Sequence, residues 1–229
     1  MNLLTIEKQR SIVIGILKPA LVAEGYEYFV RDGGNDTFIK QTEFGSSSFY
    51  VYFKKYGDAD YSGALLSFKF VEQIVMEVGD PNIDYSQRLK TNDFSQWTVL
   101  DQNSGLRYDT INSPIRESAQ AIAFANAYLQ YIQTAGLAFI EKYSYLPNVL
   151  AEMDRLEKEG KLWHEILNGL ADYLFRGLII SKLCNDTAFL SKVEFCDHKF
   201  YNAPHLVEWI PYYEKLKERL KGLEPKYNI

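Results

Sequence analysis

The chain has 229 residues, enough for one large domain or two small ones with a packed core. Hydrophobic residues at 47% and charged residues at 24% give a globular composition and exclude a disordered chain. The net charge of −5 comes without a basic tract, which disfavours both a nucleic-acid backbone and an anionic membrane surface as partners.

The first helix is expected over Thr5 to Glu24. Ile6, Val13, Leu17, Ala20 and Leu21 fall on one face, and Glu7, Lys8 and Arg10 begin the other. Pro19 removes one backbone bond and crowds the Gly15 carbonyl, so a kink or break is expected there. Gly25 is the stop signal. From Tyr26 the period changes to two. Tyr26–Arg31 and Asp36–Thr42 flank Asp32-Gly33-Gly34-Asn35, a hairpin connection rich in residues that tolerate positive φ. Ser48–Tyr56 is a third strand, with Phe49, Val51 and Phe53 on one face and Tyr50, Tyr52 and Lys54 on the other.

Ala64–Val78 reads as one long strand or two in tandem, interrupted by Glu72. Gly79–Asn92 is a polar loop with room for a helical turn. Trp97–Leu100 and Leu106–Ile111 are weaker strands. Ser113-Pro114 combines an N-cap residue with proline at the first helical position, and helix is expected from there to about Lys142 with a break near Gly136. Pro147–Glu159 is the next helix. Lys161–Leu183 is the most apolar one, placed at the centre of a bundle with Gly169 and Gly177 as contact points. Asp186–Phe195 and His205–Leu220 complete the set.

Motifs that carry chemistry are weak throughout. Cys196-Asp197-His198 with His205, Cys184 and Glu194 offers zinc-type ligands, but without CxxC, HxxxH or HExxH spacing. No metal and no cofactor are therefore expected. A Cys196 nucleophile would need an electropositive setting that the sequence lacks. Gly33-Gly34 is flanked by strands on both sides and lacks the helix that a phosphate loop opens. Asp58, Asp60, Glu72, Glu77, Asp80 and Asp84 mostly lie in loops, where solvated carboxylates are the default.

The aromatic excess is the stronger signal: 17 Tyr and 14 Phe suit half-buried sheet faces and interaction surfaces better than a dry core. Tyr28, Tyr50 and Tyr52 are the expected binding residues, covered by the chain's own helices or by a partner. The stretch Leu21-Val22-Ala23-Glu24-Gly25-Tyr26 running into strands at Phe29 and Phe38 resembles uncharacterised bacterial domain-of-unknown-function families that open with a helix, a Gly-aromatic step and an antiparallel sheet. The resemblance spans about the first half of the chain and implies an α+β fold and a bacterial source, with no catalytic residue to carry over.

These readings converge on an α+β protein: an N-terminal helix on an antiparallel sheet of about five strands, then a C-terminal helical bundle. The expected domains are residues 1–112 (sheet) and 113–229 (helices), packed together. Ile12–Val22 is too short to span a bilayer, Met1–Glu7 lacks a basic leader, and two cysteines build no disulfide framework; a cytoplasmic protein is expected. The expected function is a non-enzymatic binding or regulatory module acting through protein contacts or self-association, an immunity-type inhibitor being one version. The rival is a hydrolase using the acidic loops or the Cys196–His205 segment.

Overall fold

The computed structural model describes residues 4–31, 34–54, 57, 59–102 and 115–228. It confirms the α+β class, with an N-terminal helix, an antiparallel sheet and a C-terminal helical region. By contacts the chain divides into two interleaved units, Met1–Leu65 with Asp101–Glu141 and Leu66–Leu100 with Lys142–Ile229. The sequence expectation was instead two successive domains meeting at Ser113. That residue, Pro114 and the expected strand Leu106–Ile111 lie outside the described residues.

In the first unit, α1 (Ile6–Ala23) starts on Thr5, whose hydroxyl accepts the Lys8 N–H. It ends in a Schellman motif: Gly25 takes φ +85°, its N–H donates to Val22 O, and Tyr26 N–H donates to Leu21 O. The expected break at Pro19 does not occur, and one helix runs through it. Gly15 and Pro19 are both exposed, so water can take the carbonyl that the proline leaves without a donor.

Strands β1 (Glu27–Val30), β2 (Asp36–Gln41), β3 (Gly45–Phe53) and β4 (Ala59–Tyr61) follow. β1 pairs β2, β2 pairs β3 and β3 pairs β4, all antiparallel. Phe49 and Val51 are fully buried and Phe53 nearly so, while Tyr52 is exposed, which is the facing expected from the alternation. Their core includes Val13, Leu17 and Leu21 of α1 and Phe124, Ala125 and Tyr128 of α4 (Ser118–Tyr131). α4 begins on a capping box between Glu117 and Gln120. The break expected near Gly136 is a π-helical turn, Ile132–Gly136, before α5 (Leu137–Tyr143). A Cβ on Gly136 would stand 3.0 Å from the Phe49 ring, so the turn brings bare backbone onto that aromatic.

The second unit corrects two sequence expectations. Ala64–Val78 is not a long strand: β5 (Leu65–Phe68) gives way to α2 (Lys69–Val78). Val71, Val75 and Val78 sit at helical spacing on its buried side, and they are buried together with Ile74 and Met76, so both templates matched the same apolar run. The expected Lys161–Leu183 helix is shorter, as α7 (Asp172–Leu183). Before it, Ile166–Asn168 runs beside β6 (Val99–Leu100): Leu100 N–H donates to Ile166 O and Asn168 N–H to Thr98 O. Gly169 at φ +119° then turns the chain into α7.

Between β5 and β6 lies α3 (Ser86–Thr91), the helical turn anticipated in the polar loop. α6 (Leu146–Lys158), α8 (Phe189–Asn202) and α9 (Ile210–Lys221) surround α7, whose residues are almost all buried. Gly177 meets the Trp163 ring directly, since a Cβ there would lie 2.3 Å from it. No described helix is long and apolar enough to cross a membrane.

Candidate functional site

The expected tyrosine trio does not form one patch. Register places Tyr28 opposite Phe38, and Phe38 opposite Phe49, so Tyr28 belongs to the face that α1 covers. Tyr50 lies opposite Thr37, which lies opposite Phe29, so Tyr50 and Tyr52 share the other face with Phe29. Tyr50 is half-buried and its N–H donates to Ser62 Oγ. Tyr52 is exposed at the end of the row, opposite Asp60, which pairs with Lys54 at 2.6 Å.

Tyr28 stands where α1 leaves the edge of the sheet uncovered. Ser11, Ile14, Gly15, Lys18 and Val22 recur at helical spacing along a second, half-open face of α1. With Glu7, Arg10, Pro19 and Tyr28 they line a groove of about 580 Å³. The groove is predominantly apolar. Val22 on one wall is 50% exposed, so apolar surface lies open to water here.

A polar network underpins this groove. Asp36, the first residue of β2, is fully buried; it accepts Arg10 Nε at 2.7 Å on one oxygen and the Tyr28 hydroxyl at 2.5 Å on the other. Arg10 also donates to Gly34 O, tying α1 to the hairpin. Burial, with the Asp36 carboxylate as acceptor next in size, pushes the Tyr28 phenol up to about 12. The phenol therefore stays neutral as a fixed donor, which sets the ring as one wall. Lys18 Nζ lies 4.8 Å from the ring centroid, a cation over an aromatic at the groove's mouth.

The second unit holds a constellation that the sequence did not announce. Glu72 on α2 and Arg176 on α7 are both fully buried and pair in two-pronged fashion, Nε to Oε1 at 2.8 Å and Nη2 to Oε2 at 2.7 Å. Thr98 donates to Glu72 Oε1, and Arg176 Nη1 reaches Asp172 and Asn168 O. Both oxygens of Glu72 accept hydrogen bonds. The network fastens α2, α7 and the segment before β6 to one another. The signals are an acid interrupting one apolar run, a lone arginine in another and an Asp172–Arg176 spacing of four.

The other acidic candidates are engaged within the fold, Glu77 also pairing with Arg219 of α9. Asp60 pairs with Lys54, the Asp80 carboxylate accepts Asn82 N–H, Asp84 accepts Ser86 N–H, and Glu77 accepts from Gln73. Asp58 lies outside the described residues. Cys184 and Cys196 are fully buried; burial pushes the Cys184 thiol up to about 12 and the Cys196 thiol higher still. His198, two residues from Cys196, is exposed, as is His205. Among the described residues no group of three or more His, Cys, Asp or Glu is placed to hold a metal ion.

No family model, no curated protein and no solved structure matches this chain.

Proposed function

We propose that this protein is a non-enzymatic binding module that works through protein contacts and takes an apolar segment of a partner protein in the groove between α1 and Tyr28. The observation that carries this reading is the combination of an open apolar wall with a rigid polar base: exposed Val22 and the buried Ile14 line the groove with a tyrosine held by Asp36, which is itself paired with Arg10. Rigid aromatic anchors lose little entropy on binding. Lys18 at the mouth gives the partner segment a cation to meet, so an acidic residue beside its apolar anchors is expected. The module acts inside the cell, where Cys184 and Cys196 remain thiols, and an immunity-type inhibitor is one form it takes. Neither nucleic acid nor a membrane is its partner, in keeping with the acidic net charge. The buried, strongly proton-retaining Cys196 supports this reading over a thiol hydrolase.

Panning a random peptide library against the purified full chain tests it. Enriched peptides are expected to share apolar anchors next to Asp or Glu, and their binding is expected to be lost in Val22→Glu and weakened in Lys18→Glu. Absence of any enriched class, or binding indifferent to both changes, would overturn the proposal.

A further inference from the structure

We propose that β1 pairs edge-to-edge with β1 of a second copy of this chain, in an antiparallel register centred on Phe29. This inference stands apart from the groove reading and needs no other partner.

Among the described residues β1 ends the strand order and is hydrogen-bonded to β2 alone. Arg31 N–H donates to Asn35 O at 2.9 Å, and Phe29 and Glu27 lie opposite Thr37 and Ile39. In an antiparallel ladder hydrogen-bonded pairs alternate, so residues 27, 29 and 31 turn their backbone groups toward β2. Tyr28 and Val30 turn theirs outward, to the free edge.

That geometry fixes how two copies meet. Outward-facing residues must lie opposite each other, so Tyr28 pairs with Val30 of the second copy and Val30 with its Tyr28. The two-fold axis then passes through Phe29, which faces its own counterpart across the non-hydrogen-bonded position. The same register sets Glu27 opposite Arg31 of the second copy, twice by symmetry. Glu27, Phe29 and Arg31 share one face, so each ion pair flanks the central phenylalanine pair.

The segment Glu27-Tyr28-Phe29-Val30-Arg31 is thus charge-complementary to its own reverse. Strand edges that guard against association carry charges that repel a like edge. Here the ends attract. Phe29 is 47% exposed and Val30 54% exposed, an apolar centre left open on the edge. Among the described residues no ion pair joins Glu27 or Arg31 to another part of its own chain.

Sedimentation equilibrium of the purified full chain, with charge reversal, tests the register. The unaltered chain is expected to form dimers. Glu27→Arg and Arg31→Glu each put like charges opposite at both symmetric positions and are expected to weaken the dimer about 10-fold or more. The double reversal E27R/R31E restores both ion pairs and is expected to return the dissociation constant to within about 3-fold of the starting value. Val30→Pro, which removes an outward N–H and no bond to β2, weakens the dimer while the circular dichroism spectrum stays unchanged. A chain that remains monomeric at every concentration, or a dimer indifferent to single reversals or not rescued by the double, would overturn the inference.

Discussion

Each unit buries a carboxylate against an arginine, and the two do it differently. Glu72 and Arg176 are both sealed at 0% exposure, whereas Asp36 is sealed and its Arg10 remains 36% exposed. The closed pair satisfies itself and holds three pieces of backbone in place. The open pair holds a tyrosine and a helix while leaving apolar surface beside it in water. A buried ion pair closed on all sides fixes structure, and one that reaches the surface next to an open groove can fix the shape of a binding site. The contrast extends to exposed apolar residues. Leu170, Leu190 and Val207 of the second unit sit on separate elements and line no groove described above, whereas Val22 of the first unit lines the groove beside Tyr28.

The contrast breaks most sharply at Arg176. Arg176→Met strands Glu72 and Asp172 without their cation and is expected to cost about 3–5 kcal/mol in urea unfolding at neutral pH. A loss below about 1 kcal/mol would mean the network is not closed as described. Phe49→Ala, in the core under α1, should cost about 3–4 kcal/mol by the same measurement; tolerance there would undo the facing of β3. At the open pair, Asp36→Asn should cost less, about 1–3 kcal/mol, and loosen α1 from the hairpin, seen as faster amide exchange at the start of β2. Tyr52→Ala, on the exposed end of the far face, should stay within about 0.5–1 kcal/mol.

The smallest effect concerns protons. Because folding raises the Tyr28 phenol, its contribution to stability is full below the ordinary phenol range near ~10 and is lost as pH rises toward about 12. Carbon-13 labelling of the tyrosine ring should place the Tyr28 titration near that upper value, and Asp36→Asn should bring it down. An ordinary Tyr28 titration in the unaltered chain would remove Asp36 as its partner.

What the sequence made legible was local. The alternation over Phe49–Phe53 was readable because one face meets a core and the other does not, and Gly25 was readable because only the left-handed turn there ends the helix. Lys69–Val78 misled because an apolar run buried on several sides fits period two as well as a helix. Glu72 looked like an interruption since its partner lies 104 residues away in sequence. By residue type Tyr28 is alike with Tyr50 and Tyr52, and only the strand register separates their faces. The groove was invisible for the same reason, because Arg10, Tyr28 and Asp36 come from three elements.

The most direct test of the groove as the working surface is a photocrosslinking amino acid placed at Val22 in one chain and at Leu170 in another, each produced in living cells. Leu170 is the stricter control, since at 89% it is more exposed than Val22 at 50%. Crosslinking at Val22 to a single discrete protein, through an apolar segment bearing an acidic residue and with no such adduct at Leu170, is the result predicted. The same adducts from both positions, or from Leu170 alone, would contradict it.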